Sequence, residues 1–340
     1  MTWLRLTWRR LRRDRAAAAG LVTLVFVTTF VFAVAPRALA AAADQALRQE
    51  MAAATPLDRN IRLDQVTPPS NPRATVSDVI QQGDAFAAGL PGALRAIVGT
   101  PPASPSYVIQ TPLWSALSGT PIDAVIALRI QQGVQAHLTL TGGRWPTGDT
   151  TSAPDQVPGA IPDATLITFE AAISDDAARA LQVGLGARLM LAPEPTDAYA
   201  VGRQMHAAVV IVGTYQPTDR NDPYWMDDAT AEGFTIRALD PEHPKVDTSL
   251  LLSPDAYPAL LAETDQFGTT VFVGPPSQST LPLHYEWRFY VDAAQMRSGQ
   301  VGALIGAMRR TETVFPVGTP AINGPDADRV NLQSGLLRLL

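Results

Sequence analysis

The stretch AAAAGLVTLVFVTTFVFAVA, residues 16–35, contains no charged residue, and ten of its twenty positions are Leu, Val or Phe. As an α-helix it spans about 30 Å, the thickness of a bilayer's hydrocarbon core. Ten such side chains at roughly −0.3 to −0.6 kcal/mol each favour insertion by about 3–6 kcal/mol. Leu21, Leu24, Phe26, Phe30 and Phe32 are the expected lipid-facing anchors. Arg9, Arg10, Arg12, Arg13 and Arg15 crowd the N-terminal side, and only Arg37 and Arg48 follow closely. The positive-inside rule therefore predicts a cytoplasmic N-terminus at the cell membrane and an extracytoplasmic body.

The helical pattern continues past the apolar run. Leu39, Ala43, Leu47 and Met51 recur every fourth residue, Asp44 and Arg48 are spaced as an i,i+4 pair, and Thr55-Pro56 predicts the stop. The expected division is a basic tail over 1–15, a membrane helix over 16–36, a stalk over 37–55 and an extracytoplasmic domain over 56–340. A cleaved signal peptide is the competing account, because Ala38-Leu39-Ala40 offers a small-x-small site. The apolar run is longer than a signal core of about 7–15 residues, and a stripe beyond the cut has no use in a processed leader.

The chain has 340 residues, 46% of them hydrophobic, which suffices for one large domain or two ordinary ones. Its net charge of −6 divides into +5 over the first fifteen residues and −11 over the rest. An acidic body lacks the basic surface that phosphate backbones require, so nucleic acid is not an expected partner. The absence of Cys excludes disulfides, thiolate nucleophiles and thiolate metal sites.

Short apolar runs broken by Pro and Gly predict an α+β fold. Strands are expected at 61–66, 107–110, 124–130, 137–141, 166–173, 187–191, 207–215, 248–252, 269–273 and 283–291. A helix is expected from Val76 to about Leu90. A short one follows Ser174 as N-cap, and another runs from Ala293 to about Arg310 behind Asp292. The segment from Gly142 to Asp163 and that from Pro316 to Pro325 are expected to be loops. In the strand ending at Val291, Tyr285, Trp287 and Phe289 share one face, best explained as core, and His284, Glu286, Arg288 and Tyr290 share the other.

Three stretches stand out: Thr139-Leu140-Thr141-Gly142-Gly143-Arg144-Trp145-Pro146; Phe169-Glu170-Ala171-Ala172-Ile173-Ser174 running on to Val183-Gly184; and Val209-Val210-Ile211-Val212-Gly213-Thr214-Tyr215-Gln216-Pro217 followed by Asp222-Pro223-Tyr224-Trp225. With the N-terminal helix, they resemble the FtsX-like (MacB-type) permease family of ABC transporters. The chain departs from the family pattern at Gln182 and Leu185-Gly186, where the family turn carries Gly and Gly-Asp. The resemblance implies a permease subunit without enzymatic activity, whose outer, periplasmic-core-like domain is moved through the membrane helix by a separate cytoplasmic ATPase. It implies ATP as that partner's cofactor, and a second permease copy. No second membrane-length apolar run follows Ala35, and 330–340 ends on a rising apolar pattern, so an N-terminal portion of a longer permease is expected, with a complete single-pass protein as the alternative.

The sequence contains no G-x-S-x-G elbow, His-Glu-x-x-His or phosphate-binding loop. His137, His206, His243 and His284 are scattered and read as ordinary strand or loop residues. Asp219, Asp222, Asp227 and Asp228 read as a solvated acidic loop over Tyr224 and Trp225 rather than a Ca²⁺ site, since the spacing lacks the Gly and terminal Glu of an EF-hand. Neither catalytic nor metal nor cofactor residues are assigned. The competing functional class is an anchored or secreted binding module of the cell envelope.

Overall fold

The helix α1, Arg15–Ala53, runs without interruption through Pro36, so the expected membrane and stalk segments are one element of 39 residues. The computed structural model describes residues 15–66, 75–99, 105–157, 160, 164–193, 206–238, 244–262, 283–319 and 329–340. Arg9, Arg10, Arg12, Arg13, His243 and the strand expected at 269–273 lie outside the described residues, as does the side chain of Arg15. Among the described residues α1 is the one helix long and apolar enough to cross a membrane. Leu21, Leu24, Phe26, Phe30 and Phe32 are all exposed on it.

Two units partition the chain. The first contains α1 and the segment Ala293–Gly302; the second contains Ala54–Asp292 and Ala303–Leu340. Within the first unit, Asp44 Oδ1 accepts hydrogen bonds from the Ser298 amide at 2.7 Å and the Ser298 hydroxyl at 2.6 Å. Those two bonds, with Arg297 3.7 Å away, hold the Asp44 carboxyl below its usual range. The expected Asp44–Arg48 side-chain pair takes a different form: Arg48 Nε donates to the Asp44 backbone carbonyl at 3.1 Å.

The second unit is α+β. In chain order its labelled elements are α2 (Pro56–Arg59), β1 (Ile61–Gln65), α3 (Val76–Gly89), β2 (Ser106–Gln110), β3 (Trp114–Ser118), β4 (Ala124–Gln131), β5 (Leu138–Gly143), β6 (Thr150–Pro154), β7 (Thr165–Ser174), α4 (Asp175–Leu181), β8 (Arg188–Pro193), β9 (Ala207–Pro217), β10 (Phe234–Arg237), β11 (Lys245–Leu251), β12 (His284–Phe289), α5 (Val301–Val314, straddling the boundary) and β13 (Asn331–Gln333).

Six strands close a ring in the order β4-β11-β7-β9-β8-β3 and back to β4, with parallel pairs at β4–β11 and β7–β9. β11 occupies one edge of β4. The other edge is shared, with β3 opposite Val125 and Ile126 and β2 opposite Arg129 to Gln131. From β2 an antiparallel sheet continues through β12 and β1 to β13. β4 thus belongs to both the ring and the sheet, and every one of its residues is buried. A strand covered on both faces reads as the near-continuous apolar run seen here.

Local signals place the helices. Thr75 and Asp78 form a reciprocal capping box at the start of α3. Gly83 of α3 lets Trp287 of β12 approach, since a Cβ there would lie 2.7 Å from Trp287 Cδ1. Trp287 Nε1 donates to the Val79 carbonyl at 2.8 Å, and Phe86 meets its ring edge to face at 5.0 Å. Ser174 caps α4 by accepting from the Ala177 amide. At the other end, Gln182 adopts the left-handed conformation, φ 56°, that a Gly takes without strain.

Three expectations need correction. The segment 142–163 is not simply a loop: β6 lies within it and pairs with β7 over five registered residues. β6 is exposed throughout and so shows no apolar alternation. The helix expected from Ala293 begins instead as two 3₁₀ turns, and α-helical geometry starts at Val301. The four aspartates are not uniformly solvated, for reasons given below. At 330–340 the chain packs into the second unit, as β13 beside β1 and a short helix, Leu336–Leu339, that buries Leu336.

Candidate functional site

The residues of the family resemblance fall into two groups. In the first, Gly143 of β5 stands opposite Gly213 of β9. A Cβ on Gly143, whose φ is +69°, would lie 2.1 Å from the Val212 carbonyl oxygen, and one on Gly213 would lie 2.2 Å from that of Arg144. The turn that follows is fixed to β7 by charge. Arg144 engages Glu170 through both terminal nitrogens, Nη1 to Oε2 at 2.7 Å, and the Thr147 amide and hydroxyl donate to the same carboxylate. The Arg144 bonds, ahead of those from Thr147, pull Glu170 down to about 2. Trp145 then stacks on Tyr215 with centroids 6.5 Å apart.

The second group is Asp222-Pro223-Tyr224-Trp225. Asp222 Oδ1 accepts from the Tyr224 amide at 2.9 Å, capping a 3₁₀ turn over Pro223–Trp225 with Pro at its first position. Tyr224 and Trp225 are buried in one apolar cluster with Leu138, Tyr215 and Leu251. Asp222 Oδ2 lies 2.7 Å from His137 Nδ1, and the His137 ring stacks on Tyr224 at 3.7 Å. The neighbouring aspartates serve separate ends. Asp219 accepts from the Asn221 amide, Asp227 from the Leu57 amide and Asp228 from the Ala231 amide, while Trp225 Nε1 binds the Asp219 carbonyl. They diverge rather than converge on a cation.

Behind this turn runs a chain of buried charge. Arg129 of β4 and Arg288 of β12 are both fully buried. Arg129 Nη1 is 2.5 Å from Asp228 Oδ2, and Arg288 Nη2 is 3.6 Å from the same oxygen. Arg288 also donates to Glu286 at 2.8 Å and, through Nη1, to the carbonyls of Tyr224 and Trp225. Burial opposes charge on Asp228, but Arg129 and Arg288 outweigh it and hold the carboxyl below its usual range. The face of β12 opposite its aromatic side is therefore a polar core, a feature that the Glu286/Arg288 i,i+2 spacing hints at and a one-sided strand would have exposed.

Asp64, His284 and Glu286 bring one ligand atom each within 4.8 Å of one another, the spacing of a metal site. The charge balance does not suit a divalent ion. Two arginines already stand on the cluster, Arg62 3.2 Å from Asp64 and Arg288 bonded to Glu286, and their positive charge opposes a cation there. Burial, and then the charge of Glu286, pushes Asp64 up to about 7, while Arg288 and Arg62 keep Glu286 low despite its own burial. A proton on Asp64 is what this geometry favours.

A cleft of about 380 Å³ opens beside the Asp222 turn, lined by Arg59, Ser106, Gln132, His137, Tyr224 and Tyr290 among others. No sequence pattern singles out Arg59 or His137. Only the fold brings the end of α2, the loop after β4 and the end of β12 together.

Fold and site define an α+β unit on a chain that has, among the described residues, one helix of membrane-crossing length and composition. No family model matches the sequence, and no curated protein matches it. Among solved structures the chain is similar to a domain of a "putative permease protein" from Porphyromonas gingivalis, at 13% identity and a TM-score of 0.27, over 75% of this chain and 85% of that one.

Proposed function

We propose that the chain is a permease subunit of an FtsX/MacB-type ABC transporter, in which a cytoplasmic ATPase moves an extracytoplasmic domain through α1. The observation that carries this reading is the continuity of α1. One helix contains both the membrane-length apolar segment and, about two turns beyond Pro36, the Asp44 carboxylate that holds Ser298. A displacement of the helix along its axis is transmitted to the segment Ala293–Gly302 and hence to the start of α5. The family motif residues supply a stiff outer domain. Gly143 and Gly213 lock β5 to β9, Arg144 and Glu170 tie the next turn to β7, and Arg288 holds the Tyr224–Trp225 turn against β12.

On this reading the partners are the lipid bilayer, an ATPase that binds ATP on the cytoplasmic side, and a second permease copy. The tagged full chain, extracted in mild detergent from its native membrane, is expected to copurify with an ABC ATPase and with a differently tagged copy of itself. Recovery of the chain alone, after crosslinking in intact membranes, counts against the proposal.

A further inference from the structure

We propose that the cleft beside the Asp222 turn is a binding site for a small carboxylate with an apolar or aromatic body, held through Arg59. The inference is independent of the transport reading. Arg59 is the last residue of α2 and lines the cleft half-buried. Its Nε is buried without a hydrogen-bond partner, and among the described residues its guanidinium makes no ion pair. A buried N–H donor left unmatched is costly, and the group that matches a guanidinium fork best is a carboxylate, which it binds bidentately.

The one acid in the cleft wall does not fill this role. Asp222 gives Oδ1 to the Tyr224 amide and Oδ2 to His137, so its charge is committed within the wall. Other polar groups are also engaged. The Tyr224 hydroxyl donates to the Gln132 carbonyl at 2.6 Å, Ser106 pairs with the Tyr290 hydroxyl at 2.9 Å, and Asn60 Oδ1 accepts from the Val291 amide. What lines the cleft beside these is the half-buried Arg59 side chain, with the Gln132 amide and the His137 ring, among Pro223, Val291 and aromatic side chains.

These features set the ligand class. A single guanidinium offsets one negative charge, whereas a phosphate of about −1.5 to −2 would need a second cation, and the other basic side chain of the wall, His137, is paired with Asp222. The mostly apolar wall favours a ligand body that leaves water, and a volume of about 380 Å³ is at the small end of ligand sites.

The test uses the full chain in detergent, with phenylacetate as probe and neutral phenylacetamide as its isostere, followed by titration calorimetry. Phenylacetate is expected to bind one saturable site at least about tenfold more tightly than the amide. Arg59→Gln should abolish that preference while leaving thermal unfolding unchanged. Gln132→Glu, which adds a second carboxylate to the wall without touching Arg59, should also weaken phenylacetate and spare the amide; it decides the matter if Arg59→Gln does not fold. No saturable binding of phenylacetate at millimolar concentration overturns the proposal. So does equal binding of phenylacetate by the parent and a folded variant.

Discussion

Gly143 and Gly213 face each other across β5 and β9 at a separation that admits no side chain on either: each Cβ would meet a carbonyl oxygen of the opposite strand within about 2.2 Å. The two substitutions differ in kind. Gly213→Ala adds only the clash, and over-packing of this sort costs about 1–3 kcal/mol or more. Gly143→Ala adds a left-handed backbone, worth about 1–2 kcal/mol beyond the clash. Urea unfolding of both variants should show Gly143→Ala as the less stable. Wild-type stability in either would remove the close approach from the account of this turn.

Asp228 stands between two fully buried guanidinium groups. Asp228→Ala leaves Arg129 with Gln110 and Gln131 alone and Arg288 with Glu286, and removing one partner of a buried ionic network costs about 3–5 kcal/mol. Asp228→Asn keeps an acceptor for the Ala231 amide and should lose less. A loss below about 1 kcal/mol for Asp228→Ala, by chemical denaturation, would mean that the arginines find water or each other's partners instead.

Much of this fold was legible because its strands are apolar runs of the right length between Pro and Gly. β1, β2, β4, β7, β9 and β12 all form where the period-2 or continuous patterns put them. The missed strands lack that signal. β3 buries only Trp114, β6 is wholly exposed, β10 carries no buried residue, and β13 is three residues held by β1. The site was legible in part. Gly143, Arg144, Glu170, Gly213 and Asp222 stand out by resemblance, and each has a definite partner. Arg129 and Arg288 do not stand out, since what buries them is the sharing of β4 between ring and sheet, a tertiary fact without a local pattern; nor does Arg59, which only the packing of α2 brings into the cleft wall.

The Asp64 carboxyl gives the unit an unusual pH dependence. Its usual value is 3.8, and burial beside Glu286 pushes it up to about 7. Between those values the folded chain keeps a proton that the unfolded chain releases, so the stability it contributes is complete below 3.8 and is lost as pH rises through about 7. Glu232, raised to about 7 chiefly by burial, acts in the same direction. His284, which burial holds below 6.5, opposes this up to that pH, so the signature is differential: between about pH 4.5 and pH 7.5 the melting temperature of the parent is expected to fall relative to those of Asp64→Asn and Glu232→Gln. A parent and an Asp64→Asn variant whose melting temperatures keep a constant difference across this interval contradict the assigned proton.

The absence of Cys makes the membrane orientation directly measurable, because any introduced cysteine is the sole thiol. Ser118 is exposed at the end of β3, and Thr2 precedes the Arg cluster. If Arg9, Arg10, Arg12, Arg13 and Arg15 hold the N-terminus in the cytoplasm, a membrane-impermeant maleimide added to intact cells labels the Ser118→Cys variant and not Thr2→Cys. Lysis should make both reactive. Replacing the five arginines by Gln removes the charge asymmetry across the apolar segment, and labelling of Ser118→Cys in intact cells should then drop as part of the population inserts in reverse. The opposite pattern, Thr2→Cys labelled and Ser118→Cys protected, would put the domain in the cytoplasm, where no ATPase could act on it through α1.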